Sequence, residues 1–327
     1  MVTAVAAPTP AAAEADPDVL VAVVTYNSAP LIEGFLRALP AALAGAGTAR
    51  VVVVDNGSRD GTPDLVRTVA PWAVVLEVGA NRGYAAGINL ALSCSSARRG
   101  SYVLNPDAIP SPGSVDRLAR AVETDTGLGI AVPRIVDEQG RLKLSLRREP
   151  TLWRALGEAT LGGRRASRVP LLGEVVGDVD RYVDGATADW ATGAAMFIAP
   201  RTVERVGPWS EDFFLYSEET DFALRTRDAG LRLALVADAS VMHPGGELGT
   251  SPWLWSLAAV NRTRLYRRRH RALPSAAYWS AVLLNEVLRV RRGPQHREAV
   301  RALLRGVRFP VDTAPGPVQT GGARATR

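Results

Sequence analysis

"VVVVDNGSRDGT", residues 51–62, decides the fold. Four valines in succession leave no polar face, which is the pattern of a strand buried on both sides within a parallel sheet. They run straight into Asp55-Asn56-Gly57-Ser58, so the strand delivers a carboxylate to the mouth of a loop. "TPDLVRTV" then reads as a helix, with Thr62 as N-cap and Pro63 at the first helical position.

The same alternation extends in both directions. Upstream, residues 19–25 form an apolar, β-branched run that reads as another fully buried strand. Ser28 and Pro30 signal the helix after it, with Leu31, Phe35 and Leu39 on one face. Downstream, "AVVLEV" (73–78) is a third strand, "GYAAGINLALSCSS" a third helix and "SYVLNPD" a fourth strand. Four strands alternating with three helices predict an α/β fold: a Rossmann-like, mostly parallel sheet flanked by helices. Ligands of such sheets sit outside the carboxyl ends of the strands. Asp55 and Asp107 both fall there, which makes them neighbours in space.

The chain lacks the glycine nests that usually bind nucleotides on such a sheet. The turn after the first strand is "TYNSAP", without G-x-G-x-x-G, and G-x-x-x-x-G-K-[ST] occurs nowhere. A diphosphate bound here needs another neutralising group, and a divalent metal held by carboxylates is the natural substitute. Asp107 in "YVLNPDA" is either such a ligand or a turn aspartate capping the next helix. In "FFLYSEETDFALRTRDAG" (213–230), Ser217 is the expected N-cap, Glu218, Glu219 and Asp221 lie in the first turn, and Arg225 follows Asp221 by four residues. Acidic first turns suit any helix, and they also hold a general base rigid and ionised. Phe213, Phe214 and Tyr216 just before it could wall off water.

Three further motifs carry two readings each. His243 in "ASVMHPGG" follows an apolar run and precedes a Gly-Gly loop, which suits a metal or diphosphate contact as well as a structural histidine. "DWATGAAMF" sets a tight Gly193-Ala194-Ala195 turn beside Trp190, which either admits a substrate to the backbone or packs strand on strand. In "GANRGYAAGIN", Asn81 and Arg82 could reach a base or phosphate, while the glycines could simply admit a closely packed helix.

With 327 residues, 47% of them hydrophobic, the chain can bury a full core. The single cysteine, Cys94, excludes an internal disulfide and a multi-cysteine zinc site. The opening Ala/Pro-rich segment lacks the basic start of a secretion signal, and no apolar run reaches the roughly 20 residues that span a bilayer. These features predict a cytoplasmic protein. The net charge of +6 suggests an anionic partner. Arginines cluster in the second half with Trp253, Trp255, Tyr266, Tyr278 and Trp279, as in "NRTRLYRRRHR". That mixture suits an anionic membrane surface, or helices packed on the catalytic domain with a solvated basic face. No nucleic-acid-binding motif accompanies it.

In order, "VVTYNS", "VVVVDNGSRDGT", "NRGYAAGIN", "LNPDA", "WATGAAM", "FFLYSEETDFALR" and "MHPGG" resemble the inverting, nucleotide-sugar-dependent glycosyltransferases of family two. The resemblance runs from about Leu20 to about Gly249 and implies the glycosyltransferase-A fold. It implies that Asp55 bonds the pyrimidine base, with Thr25, Asn27, Asn56, Arg82, Gly83 and Asn105 also at the nucleotide. Asp107 closes a D-x-D that here reads Asn105-Pro106-Asp107, and His243 joins it at Mg²⁺ or Mn²⁺. Glu219 is implied as the catalytic base, with Glu218 and Asp221 in support, and Trp190, Gly193 and Ala194 on the acceptor side. The chain resembles most the bacterial rhamnosyltransferases that use dTDP-L-rhamnose and act on polyprenyl-diphosphate-linked sugars in cell-wall assembly. The partners implied are a nucleotide-sugar donor and a glycan or lipid-linked acceptor, met at the inner face of the plasma membrane. A UDP- or GDP-sugar donor, or a catalytically silent nucleotide-sugar-binding protein, is the alternative.

The expected organisation is a disordered tail (1–18), a catalytic domain (19–249) with nucleotide-binding (19–125) and acceptor (126–249) halves, a basic aromatic-rich helical extension (250–310) and a second disordered tail (311–327). Residues 143–187 show weak periodicity and are expected to include a mobile lid.

Overall fold

The computed structural model describes residues 16–245, 251–306 and 319–320. The expected N-terminal tail before residue 16, the end of the "MHPGG" loop and most of the C-terminal tail lie outside the described residues. The four strands of the first half are β1 (Val19–Thr25), β2 (Ala49–Asp55), β3 (Val74–Glu77) and β4 (Gly100–Leu104). They pair in the order β3-β2-β1-β4, all parallel. Helices α1 (Ala29–Ala42), α2 (Thr62–Val69) and α3 (Tyr84–Ser93) form the crossovers.

Every residue of β1 is buried. Val19, Val21 and Val23 pack with Phe35 and Leu39 of α1, while Leu20, Ala22 and Val24 pack with Ile88 of α3 on the opposite face. Each fully buried Val or Leu contributes about 1.5–3 kcal/mol, which explains why an unbroken apolar run becomes the centre of the sheet. A Cβ on Gly87 would come within 2.7 Å of Val24 Cγ1. This glycine therefore admits α3 onto the sheet, which settles one of the two readings of "GYAAGIN" for that residue.

The expected cap of α2 is corrected by one residue. Gly61 is the N-cap and Thr62 the first helical residue. Thr62 is fully buried, and its hydroxyl serves Asp60 Oδ1 (2.6 Å) and the Ser28 N–H (2.9 Å), joining the loops after β1 and β2.

The sheet continues from β4 through β10 (Ala195–Ile198), β6 (Leu128–Val136) and β11 (Arg232–Met242) to the short β5 (Ile109–Pro110). β10 runs antiparallel to β4 and β6, whereas β6 and β11 are parallel. The chain thus forms a mixed, mostly parallel sheet covered by helices, among them α4 (Ser114–Thr124), α7 (Pro200–Val206) and α8 (Glu218–Asp228). The two-residue strand β12 (Gln319–Thr320) pairs antiparallel with β3.

Residues 143–187 hold β7 (Leu146–Arg147), α5 (Leu152–Leu161) and α6 (Gly163–Ala166) before β8 (Thr187–Ala188) and β9 (Trp190–Ala191). Polar contacts do much of the ordering here. Arg148 Nη1 donates to the carbonyls of Gly173 (3.0 Å) and Val175 (2.7 Å). Arg262 bridges Glu158 (3.2 Å) and Glu174 (3.0 Å). Such contacts leave no periodic apolar signature.

Three helices follow: α9 (Pro252–Arg269), α10 (Ala272–Leu288) and α11 (Pro294–Arg305). Val260, Tyr266, Tyr278, Val282 and Leu303 bury a separate cluster that includes Ala155 of α5. Among the described residues no helix is long and apolar enough to cross a membrane.

Candidate active site

The register of β1 against β2 sets Thr25 beside Asp55 at the carboxyl edge of the sheet. Asp55 is 2% exposed. Its Oδ1 accepts from the hydroxyls of Thr25 (2.9 Å) and Ser58, and its Oδ2 from the N–H groups of Gly57 (3.1 Å) and Ser58 (2.8 Å). A carboxylate offers about four acceptor positions, so in this structure Asp55 is engaged in shaping its own loop. Asn27, at φ 50°, closes the neighbouring turn: its N–H donates to Ser58 Oγ (2.8 Å) and its Oδ1 accepts from Arg59 N–H (2.9 Å). The Asn56 side chain donates to Gly83 O (3.0 Å), while its buried Oδ1 has no partner. Arg82 is exposed and has no side-chain partner among the described residues.

β2 and β4 flank β1, so Asp55 and the end of β4 stand two strand spacings apart, roughly 10 Å. They line one edge without touching. Asp107 caps no helix, since Gly113 is the N-cap of α4. Its Oδ1 lies 3.3 Å from His243 Nε2, just past the end of β11, and both side chains are partly exposed. Asn105 accepts from the Tyr84 hydroxyl (3.0 Å), and its N–H donates to Ala194 O (3.0 Å). Burial and the nearby carboxylates of Glu218, Glu219 and Asp107 push the Tyr84 phenol far up. Tyr84 is therefore a neutral donor surrounded by the predicted acidic residues.

Glu218 and Glu219 open α8. Glu218 is 2% exposed, whereas Glu219 is partly open, and each keeps one buried carboxylate oxygen without a partner. Burial and the charge of Glu219 raise Glu218 well above the usual carboxylate range. Burial also raises Glu219, opposed by backbone N–H groups at the helix start and by Arg147. Both carboxyls thus hold their protons more tightly than a free glutamate, Glu218 the more strongly, a division that environment imposes on adjacent glutamates. A Cβ on Gly193 would lie 3.4 Å from Glu219 Cβ and Cγ, so the glycine leaves room beside the more open carboxyl.

Part of the predicted set lies along one path: Asn56 bonds Gly83 O, Tyr84 bonds Asn105, Asn105 bonds Ala194, and Gly193 packs beside Glu219. Trp190 stands at its edge, donating to Arg148 O (3.0 Å), with Arg147 5.8 Å over its ring. Asp221 is turned to another use: its carboxylate pairs with Arg225 at 2.7 Å, the i,i+4 partner. Tyr84 and Arg147 were not predicted. The tyrosine at the start of "YAAGIN" was a weak local signal for the first, and the unreadable 143–187 segment gave none for the second.

Asp107 and His243 supply one oxygen and one nitrogen donor, and no three His, Cys, Asp or Glu side chains converge among the described residues. A Mg²⁺- or Mn²⁺-type ion accepts such a set, because it binds through one or two protein ligands and keeps positions for phosphate oxygens.

The predicted acidic and polar groups thus gather at the carboxyl edge of a mixed α/β sheet. Residues 20–170 match the Glycosyl transferase family 2 model. Over 240 residues the chain is 31% identical to the N-acetylglucosaminyl-diphospho-decaprenol L-rhamnosyltransferase of Mycobacterium tuberculosis, covering 69% of this chain and 76% of that one. It is 26% identical over 232 residues to the low-salt glycan biosynthesis hexosyltransferase Agl10 of Haloferax volcanii, covering 69% and 67%. The chain belongs to glycosyl transferase family 2. Its fold is similar to that of the mannosyltransferase PcManGT of Pyrobaculum calidifontis, solved with GDP-Man and Mn²⁺, at a TM-score of 0.53 and 22% identity over 90% of this chain and 77% of that one.

Proposed function

We propose that this glycosyltransferase moves L-rhamnose from dTDP-L-rhamnose to a hydroxyl of a polyprenyl-diphosphate-linked sugar, with inversion at the anomeric carbon. Similarity to the lipid-linked rhamnosyltransferase supports this choice of donor and acceptor. The observation that carries the chemistry is the pair Glu218–Glu219, one glutamate buried and the other partly open beside Gly193.

Glu219 takes the proton of the acceptor hydroxyl as that oxygen attacks the anomeric carbon from the face opposite the leaving diphosphate. The new C–O bond forms as the bond to the diphosphate breaks, and the electron pair leaves with the nucleoside diphosphate. Trp190, Gly193 and Ala194 border the acceptor. Thr25, Asn27, Asp55, Asn56, Arg82, Gly83 and Asn105 border the nucleotide, and the free guanidinium of Arg82 is available to its phosphates. Asp107 and His243 would hold a divalent cation, which when bound supplies positive charge to the departing phosphate oxygens.

The extension is assigned to peripheral contact with an anionic membrane at the cytoplasmic face. Leu273, Leu284, Val287 and Leu288 are exposed along α10, followed by exposed Arg291 and Arg292. Apolar side chains flanked by arginines suit a lipid headgroup boundary.

The test is transfer from dTDP-L-rhamnose to polyprenyl-diphosphate-linked N-acetylglucosamine by the full chain, with the anomeric configuration of the product read by NMR. Glu219→Gln should lower kcat by about 10²- to 10⁴-fold while donor affinity holds. Transfer only from a UDP- or GDP-sugar overturns the donor, and binding without turnover in the unaltered chain overturns the enzyme reading.

A further inference from the structure

We infer that Asn261 of α9 is a positioning residue for Glu219, acting through the turn that leads into α8; the inference rests on Glu219 being the base. The turn is held in a conformation that its residues do not favour. Phe214, Tyr216 and Ser217 have φ of 64°, 69° and 80°, so three non-glycine residues in four occupy the left-handed region. Such backbone persists only where its surroundings over-determine it. Ser217 O accepts from Asp221 N–H as α8 begins, whereas the carbonyls of Leu215 and Tyr216 lie outside the helix and still require donors when buried.

Asn261 supplies those donors. The residue is fully buried, and the two hydrogens of its Nδ2 serve three carbonyls, one of them shared: Phe213 (2.6 Å), Leu215 (2.9 Å) and Tyr216 (3.2 Å). Seven residues on, along the same face of α9, the Arg268 guanidinium lies 4.4 Å over the Phe213 ring. From the opposite side, Phe214 O accepts from Tyr84 N–H at 2.7 Å. Gly83, at φ 91°, fits there because a Cβ would meet Phe214 O at 2.5 Å. The turn is thus clamped between the helical extension and the nucleotide-side loop. α8 begins at the next residue, with Glu219 second in it, so the path of the turn sets where that carboxylate points.

The experiment compares Asn261→Ala and Asn261→Ser with a control, Leu303→Ala, which loosens the same helical layer without touching the turn. Transfer is measured where circular dichroism shows each protein folded. Asn261→Ala should lower kcat by about 10- to 100-fold with donor KM unchanged, and Asn261→Ser, which keeps one donor, should fall between it and the native protein. Leu303→Ala should lose thermal stability and keep kcat. Adding Ser217→Gly to Asn261→Ala should recover part of the loss, because glycine takes the left-handed conformation freely. Hydrogen exchange at the Tyr84 amide, bonded to Phe214 O, should quicken in Asn261→Ala and gives a readout independent of turnover. Unchanged kcat and Tyr84 exchange in Asn261→Ala, or an equal kcat loss in Leu303→Ala, overturns the inference. Faster Tyr84 exchange in a protein that transfers no sugar upholds the clamp and overturns the transferase reading instead.

Discussion

Replacing Asp55 by alanine and by asparagine measures what the carboxylate at the end of β2 holds. It accepts four hydrogen bonds, two from hydroxyls and two from backbone N–H groups. In Asp55→Asn, the carbonyl oxygen can keep Gly57 and Ser58 N–H, and the hydroxyls of Thr25 and Ser58 can rotate to accept from the amide. The loss is then the charge assistance, about 1–2 kcal/mol. In Asp55→Ala no acceptor remains, and the Thr25 hydroxyl, fully buried, is stranded. Adding that desolvation cost to the lost bonds gives about 3–5 kcal/mol. At about 1.5 °C per kcal/mol for a chain of 327 residues, thermal unfolding should fall by about 1.5–3 °C for asparagine and about 4.5–7.5 °C for alanine. Circular dichroism melts on both variants decide it, and equal midpoints would refute the four-bond account. Because Asp55→Asn stays folded, loss of dTDP affinity in that variant by calorimetry then reports the expected contact with the pyrimidine base.

Glu218 offers a test by pH. Its folded pKa is raised, so the stability it contributes is complete below the unfolded glutamate value and is lost as pH rises through the folded one. Glu218→Gln should therefore melt higher than the native protein at neutral and alkaline pH, with the gap closing in acid; parallel pH curves would remove the assigned shift. Nucleotide at 100 times its dissociation constant adds about 2.7 kcal/mol, and the Mn²⁺-dependent part of that gain should vanish in Asp107→Ala and shrink in His243→Ala, as read by thermal shift with and without chelator. Leu284→Glu with Leu288→Glu should abolish sedimentation with anionic vesicles and leave transfer to a water-soluble acceptor intact; retained vesicle binding would assign the membrane contact to another surface.

Much of the first half was legible because its signals are local. A run of valines can be satisfied only by burial on both faces, and a strand so buried needs crossover helices. Boundaries were less legible. The third strand is Val74–Glu77 rather than 73–78, and Thr62 is not the cap of α2, because its hydroxyl is drawn to Asp60 and Ser28 across two loops. The Asp221–Arg225 pair could be read from spacing alone, since an i,i+4 contact needs nothing beyond the helix itself.

The sequence by itself determined the order of strands and helices, the parallel core and the family motifs, since periodicity and turn chemistry act over a few residues. Tertiary structure alone decided which of two adjacent glutamates is the less buried, that Tyr84 and Arg147 stand beside them, and that α9 grips the turn before α8. Those outcomes depend on burial and on hydrogen bonds between residues far apart in the chain, such as Asn261 and Phe213. A desolvated carboxylate changes its proton affinity only once the surrounding elements have excluded water, and no local pattern encodes that exclusion.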